Sequence, residues 1–305
     1  MSNALSINET SGDALFRLIR KQAQRALEVA IGERDTNDSP VHATRKHLKK
    51  ARSALWLLQA ELGKARHKRL DHILRDVGRL VSDVRDAEVR LDTVRELERI
   101  AHSSGGFRKL EELFVLELEN FVSAFAGWHK EARPLLENFL AAFDEKHGVD
   151  FDDAKLECAL QTSYKCARKA FVAAAETPTA ECFHEFRSMA KRLMYQLRLL
   201  RPAQPVVICN LADELKKMAD LLGRAHDFSF LGERVQQMDG SDETRHEVLA
   251  VIHAGEDECQ RSAAQLSDRF FAERPRAFGR RVAHWLEEWR EGKAPLLADA
   301  IFERA

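Results

Sequence analysis

The chain contains little glycine, proline or cysteine. Its 305 residues include 14 Gly, 7 Pro and 5 Cys. So few glycines and prolines, beside abundant Ala, Leu, Glu, Arg and Lys, favour a mostly helical protein. The cysteines are odd in number and form no Cys-x-x-Cys pair, so we expect reduced core residues rather than disulfides or a metal site.

Long apolar runs and strand patterns are also lacking. No segment approaches the roughly 18 uninterrupted apolar residues of a membrane span. Residues 1–4 show no signal-peptide core. Alternation of Val, Ile and Thr over a useful length is missing, which argues against a sheet. The sequence therefore predicts a soluble, cytoplasmic, all-α protein with no membrane partner.

The arrangements that catalysis or a cofactor would require are absent from the sequence. There is no Gly-x-x-x-x-Gly-Lys-Ser/Thr loop for nucleotide phosphates, and no Ser or Cys lies in a nucleophile elbow. His67 and His72 are five residues apart, a spacing that does not place two metal ligands on one helix face. We predict no catalytic residue, no metal site, no cofactor and no enzymatic activity.

Charge is balanced in total but segregated along the chain. The 48 Lys and Arg against 49 Asp and Glu give a net charge of −1. Between residues 40 and 80, however, eleven Lys or Arg stand against three acids. Blocks of one sign in a neutral chain indicate a directed electric field rather than a uniformly mixed surface.

One cationic pattern occurs twice. The first copy is His42, Arg45, Lys49 and Lys50, and the second, 142 positions later, is His184, Arg187, Lys191 and Arg192. A basic residue and an aspartate follow each copy, as Arg85–Asp86 and as His226–Asp227. The shared spacing indicates an internal duplication. We predict a single domain over residues 1–305, with helical repeats at 10–147 and 151–292.

Helical periodicity covers nearly the whole chain. The predicted helices span 14–31, 40–62, 65–84, 86–101, 107–125 and 134–146, then 153–176, 177–200, 208–222, 227–238, 243–267 and 275–289. Ser39 and Pro40 provide a cap and a first residue for the helix that carries the first pattern. Asp86 and Asp227 are interpreted as N-caps, because each stands where a new helix is predicted to start.

The first basic helix is divided into two faces. At 100° per residue, its cations lie on one side, and apolar residues such as Leu48, Ala51 and Leu55 lie on the other. Like charges at i,i+3 and i,i+4 repel by a few tenths of a kcal/mol per pair. No acid lies between residues 40 and 60 to relieve that repulsion. The pattern therefore indicates an external anion.

The anion is predicted to be extended. Alternating arginine forks and lysine point charges form a stripe roughly 20 Å long, which suits a polyphosphate-like chain. Double-stranded nucleic acid stays possible on charge grounds, although the stripes carry few aromatic residues for stacking. The predicted anion-binding residues of the two faces are His42, Arg45, Lys46, Lys49, Lys50, Arg52, His184, Arg187, Lys191, Arg192 and Arg198. Predicted second walls are Arg20, Lys21, Arg75, Arg79, Lys165, Arg168, Lys169 and Lys216.

These motifs resemble the CHAD domain family (conserved histidine α-helical domain). The resemblance rests on the segments 41–55, 80–86, 183–195 and 221–227, and it brackets nearly the whole chain. It implies two similar four-helix-bundle halves related by pseudo-twofold symmetry, with extra helical segments. It also implies a basic groove or pore that binds inorganic polyphosphate, with targeting to polyphosphate granules. His226 departs from the Asn usual in the family, and Ser188 stands where Lys46 has its counterpart.

Other functions remain open from the sequence. The main alternative is a nucleic-acid-binding or assembly protein that uses the same basic faces, and a polyphosphatase is the third possibility. The ExExK signature and strands of the triphosphate-tunnel enzymes that some relatives carry are absent. The two pattern histidines lead to a further hypothesis, that polyanion binding strengthens as the pH falls through about 6.5.

Overall fold

Helices form nearly all of the chain that the structure describes. The computed structural model describes residues 3–101, 105–124, 127–144, 150–237 and 242–293. This part contains twelve helices and no strand: α1 (Ser11–Ala30), α2 (Pro40–Leu57), α3 (Gln59–Leu62), α4 (Lys64–Leu80), α5 (Ser82–Ala101), α6 (Gly105–Ala124), α7 (Trp128–Asp144), α8 (Asp153–Glu176), α9 (Ala180–Leu199), α10 (Pro205–Gln236), α11 (Asp242–Phe270) and α12 (Pro275–Arg290). The predicted all-α class is confirmed.

The two basic helices start at side-chain caps. The Ser39 hydroxyl accepts a hydrogen bond from the His42 amide at 3.2 Å, and Pro40 is the first residue of α2, as predicted. In α9 the cap is Thr179, which accepts from the Cys182 amide at 3.3 Å. The second basic helix therefore starts after Pro178, a few residues later than predicted.

Two groups of helices share one apolar core. In the first group, α1, α2, α4 and α7 pack in a closed ring, each against two of the others. In the second, α8 packs on α9 and α12, while α10 packs on α9 and α11. Buried side chains such as Leu55, Phe139, Tyr164, Phe186 and Leu215 belong to a single cluster that runs through both groups. The groups are therefore held together by apolar burial as well as by polar contacts.

A second apolar core lies in what we call the arm, formed by α5, α6, α11 and the C-terminal part of α10. Its fully buried members include Val94, Phe114, Leu231 and Ile252. Although α5 and α6 belong to the first predicted repeat, they pack against α10 and α11 of the second. The division into repeats and their twofold relation stay predictions.

The structure corrects the prediction near the two aspartates. The helices predicted at 208–222 and 227–238 are one helix, α10, so Asp227 lies in a helix interior. Asp86 lies in the second turn of α5, which begins at Ser82. The N-cap interpretation of both residues is therefore wrong. The reason is that burial of the apolar face of α10 overrides the weak break signal of Gly223.

Candidate anion-binding site

The two predicted basic faces meet because α2 and α9 pack against each other. A buried hydrogen bond joins them, from the Gln196 side-chain amide to the Ser53 carbonyl at 3.0 Å. The Ser53 hydroxyl in turn donates to the Lys49 carbonyl at 2.7 Å. The contact fixes the two helices beside the residues that carry the charge.

Between these helices and the walls formed by α5 and α10 lies a groove of about 660 Å³. Ten of the residues predicted from the sequence line it: His42, Arg45, Lys46, Lys49, Lys50, His184, Arg187, Lys191, Arg198 and Lys216. All members of the repeated pattern except Arg192 therefore face one common space. The sequence did not determine whether the faces converge.

The two pattern arginines are held by backbone carbonyls of the walls. Arg45 donates to the Val81 carbonyl at 3.4 Å, in the break between α4 and α5. Arg187 donates to the Ala219 carbonyl at 3.2 Å, although α10 runs through this point without a break. These contacts orient each guanidinium while leaving further N–H groups for a ligand.

Gly223 makes the second contact possible. A Cβ at Gly223 would lie 2.7 Å from Nη2 of Arg187, too close for both to stay in place. Ala219 is one helical turn earlier, so the missing side chain leaves its carbonyl open to the guanidinium. The glycine therefore opens a space on α10 for Arg187.

Three aspartates reduce the positive charge of the groove, and ten Lys or Arg residues line the same space. Asp86 lies 4.0 Å from Arg45, and Asp220 lies 3.0 Å from Lys216 and 4.0 Å from Lys191. Partial burial raises the pKa of Asp227 despite the nearby Arg187. The lining keeps a clear excess of positive charge.

The groove lysines lie in surroundings that disfavour their positive charge. Partial desolvation in the groove, together with the charges of Lys191 and Arg45, lowers the pKa of Lys49 to about 7. Burial and nearby cations also lower the pKa of Lys50 and of Lys191 to about 8 each. Among the described residues, no carboxylate forms an ion pair with Lys49 or Lys50.

The two pattern histidines both line the groove but differ in exposure, and the hypothesis on their pH dependence stays a prediction. Burial, followed by the charge of Arg85, lowers the pKa of His42, even though Asp38 lies 4.0 Å from its Nε2. The free groove therefore favours the neutral form of His42. His184 is exposed at the groove surface. Lys49, with its pKa of about 7, titrates near neutral pH.

Arg52 and Arg192 face away from the groove. Arg52 forms a two-pronged ion pair with Asp71 of α4, at 2.7 and 3.2 Å. The Arg192 guanidinium lies 5.1 Å from the ring centre of Trp56. Trp56 precedes Arg198 by the repeat distance of 142 residues, so the two residues occupy corresponding positions on α2 and α9. The first copy therefore has an aromatic ring where the second copy has a groove cation.

The remaining predicted second walls also lie outside the groove lining. These are Arg20, Lys21, Arg75, Arg79, Lys165, Arg168 and Lys169. Arg20 pairs with Asp144 at 3.1 Å, and Arg79 pairs with Asp76 at 3.0 Å. Arg168 donates to the Phe271 carbonyl at 2.9 Å. These three residues have structural or surface partners, which a one-dimensional charge pattern does not reveal.

Three basic groove residues were missing from the predicted site. Arg85 and His226 precede the two aspartates, so the repeat contained their signal, but only the aspartates were given a role. Arg90 had no repeat counterpart. Its only signal is that it lies four residues after Asp86, on the same face of α5.

Within the described residues, no group of three or more His, Cys, Asp or Glu side chains is arranged to hold a metal ion. None of the described helices has an apolar stretch of the length needed to cross a bilayer.

The fold and site define an all-helical protein with a basic groove between helices. A family model for the CHAD domain matches residues 14–236, which include both copies of the cationic pattern. The chain belongs to the CHAD domain family, as the motifs predicted. No match was found among curated proteins.

Solved structures show the same fold. The CHAD domain from the plant Ricinus communis is similar with a TM-score of 0.65 and 20% identity, over 88% of this chain and 94% of that one. PptA from Streptomyces chartreusis is similar with a TM-score of 0.63 and 15% identity, over 87% of this chain and 100% of that one. At these identities the likeness concerns the fold alone.

Proposed function

We propose that the groove binds inorganic polyphosphate and that the protein acts by binding rather than by catalysis. The observation that carries the proposal is the convergence of both cationic patterns on one groove with an excess of positive charge. Burying and crowding these cations costs free energy in the free protein, and a polyanion would repay that cost. The CHAD family motifs point to the same ligand.

The chemistry of the lining favours phosphate groups. Arg45 and Arg187 offer planar forks for pairs of phosphate oxygens, while Lys49 and Lys191 supply mobile point charges between them. Asp86 and Asp220 are engaged with groove cations at 4.0 and 3.0 Å. The aspartates are thus placed to orient cations, which supports a binding role over hydrolysis.

A competition experiment tests the ligand. Long-chain polyphosphate and double-stranded DNA would compete for the protein at physiological salt, at equal phosphate concentration. We expect polyphosphate to displace DNA, because its phosphates lie closer together along a thin chain that fits a groove between helices. Equal or stronger binding of DNA would favour the nucleic-acid alternative. Phosphate release from polyphosphate in the presence of Mg²⁺ would establish a polyphosphatase and reject the non-enzymatic role.

Charge reversal tests the site. Changing Arg45, Lys49, Arg187 and Lys191 to Glu should abolish polyphosphate binding, because it replaces four groove cations with repelling charges. A matched control reverses the exposed cations Lys109, Lys130, Lys217 and Arg276, which lie outside the groove lining. Circular dichroism would verify that both variants are folded. Retained affinity in the folded groove variant would reject the assignment.

The same proposal extends to the cell. We expect the protein to be cytoplasmic and to collect on polyphosphate granules when fused to a fluorescent protein. The groove variant should stay diffuse, since its recruitment signal is lost, while the control variant should still mark the granules.

A further inference from the structure

At the arm end, the groove opens toward a second cavity. This arm cavity has a volume of about 310 Å³ and is lined by Arg90, Glu117, Asn120, Phe121, Phe230 and Arg234. Arg90 and Phe230 line both the arm cavity and the groove. They therefore form the threshold between the two spaces.

Arg90 is held in place without a charge partner. Its guanidinium carbon lies 4.6 Å from the centre of the Phe230 ring, a cation–π contact that fixes the plane of the group. Its Nε is buried and has no hydrogen-bond partner. Among the described residues, no carboxylate pairs with Arg90, whereas its neighbours Arg85 and Arg234 pair with Glu88 and Glu117.

An unpaired donor of this kind is costly in a folded protein. A buried N–H without an acceptor has lost its hydrogen bond to water and gained none in the protein, and natural structures contain few of them. The groove cation Arg198, by contrast, already pairs with Asp213 at 3.4 Å. Arg90 is therefore a groove cation whose charge the described carboxylates leave uncompensated, so an anionic ligand at the arm end would supply a missing partner.

We propose that Arg90 and Phe230 form an additional phosphate subsite, through which a polyphosphate chain continues from the groove into the arm cavity. The inference rests on the proposed function and extends its ligand track. The fixed guanidinium would bind phosphate oxygens through its fork, and the exposed Asn120 amide would add a neutral donor. Counted from the two aspartates, the counterpart of Arg90 is Leu231. The subsite is therefore a feature of one side only.

The subsite predicts an effect that depends on chain length. Arg90→Gln should weaken binding of long-chain polyphosphate roughly tenfold, the effect of losing one charged hydrogen-bonding partner. Binding of tripolyphosphate should change little. We expect the groove cations of α2 and α9 to hold so short a ligand, which then does not reach Arg90 and Phe230. The matched control is Arg95→Gln, which removes the same charge from α5 at a residue paired with Glu111 outside the groove.

The outcomes separate this inference from the proposed function. If the unchanged protein binds neither ligand, the proposed function fails. If it binds both, and Arg90→Gln binds both as well as the Arg95 control does, the subsite is rejected. Equal loss for both ligands would also reject the subsite, because Arg90 would then act together with the groove cations of α2 and α9 on a ligand of any length.

Two further variants guard against a folding defect. Arg90→Lys keeps the charge but loses the planar fork, and we expect an intermediate loss for long chains. Asn120→Asp places a negative charge in the arm cavity at an exposed position, without disturbing the packing of Arg90. It should weaken long-chain binding only. Unchanged long-chain affinity in both folded variants would overturn the proposal.

Discussion

The groove lysines show at the level of single residues that binding capacity and stability oppose each other. Lys191 has a pKa of about 8, lowered first by burial and then by the charge of Arg187. At neutral pH it is charged in the folded protein, where its surroundings disfavour the charge. The unfolded chain carries the same charge in water at no such cost.

Replacement of Lys191 by Met should therefore stabilise the free protein and weaken polyphosphate binding. We expect the free energy of unfolding at pH 7 to rise by about 1–2 kcal/mol, since the unfavourable charge is removed and its stem volume is kept. The gain should be present below pH 8 and vanish as the pH approaches the ordinary lysine value of 10.5. Chemical denaturation at pH 7 and at pH 10 measures both limits.

Lys217→Met on α10 is the matched control, because Lys217 is exposed and lies outside the groove lining. It should change neither stability nor binding. A loss of stability in Lys191→Met would show that the ion pair with Asp220, at 4.0 Å, outweighs the cost of burial.

The sequence predicted individual groove cations well where both copies of the pattern agree. The prediction failed where a neighbouring helix determines the surroundings of the side chain. Lys50 and Arg192 occupy corresponding places, yet Lys50 faces the groove with Arg198, and Arg192 stacks on Trp56. A helical wheel gives the direction of a side chain on its own helix and contains no information about the residue opposite.

Among the helices, the two halves reach a similar arginine contact by different means. In the first half the chain breaks at Val81, whose carbonyl accepts from Arg45 at 3.4 Å. In the second half α10 is continuous, and Gly223 exposes the Ala219 carbonyl to Arg187. The break and the glycine thus have the same consequence for the site.

Gly223→Ala should reduce polyphosphate affinity without destabilising the helix. Alanine favours a helix interior by roughly 0.8–1 kcal/mol over glycine, but its methyl group would lie 2.7 Å from Nη2 of Arg187 and displace the guanidinium. We expect affinity to fall about tenfold, as for the loss of a charged hydrogen bond. Binding titrations and thermal unfolding of the same variant would show the two effects separately.

A double-mutant cycle shows whether the effect acts through Arg187. In an Arg187→Ala background the added methyl has nothing to displace, so Gly223→Ala should have no further effect on binding. Gly78→Ala is the control, because a Cβ there would meet only Leu48 Cδ1, at 4.0 Å. Additive losses in the cycle would contradict a role for Gly223 in positioning Arg187.

At the scale of the whole molecule, the helical class and the order of most helices followed from the sequence, because amphipathic periodicity is a local signal. The packing of α5 and α6 on α10 and α11 did not follow. Their apolar faces, with Phe114 and Leu231 fully buried, show that each helix needs a partner but do not specify which. Which helices pack against each other depends on shape and burial across the complete chain.

Because the groove gathers charges from four helices, ligand binding and proton binding should be coupled. With pKa values of about 7 for Lys49 and about 8 for Lys50 and Lys191, the free groove is partly deprotonated at pH 8. A bound polyanion favours the charged forms and raises these values. Binding at pH 8 should therefore take up about one to two protons.

The sign of the pH dependence follows from that uptake. Affinity should be greatest well below pH 7, where these lysines are charged in free and bound protein alike. It should fall as the pH rises through their free and then their bound pKa values. Titration calorimetry at pH 8 in two buffers with different ionisation enthalpies measures the protons directly. Lys49→Arg, which keeps its charge at any of these pH values, should bind fewer protons and show a shallower pH profile. Equal heats in both buffers would contradict the coupling, because a groove that is fully charged before binding has no proton to take up.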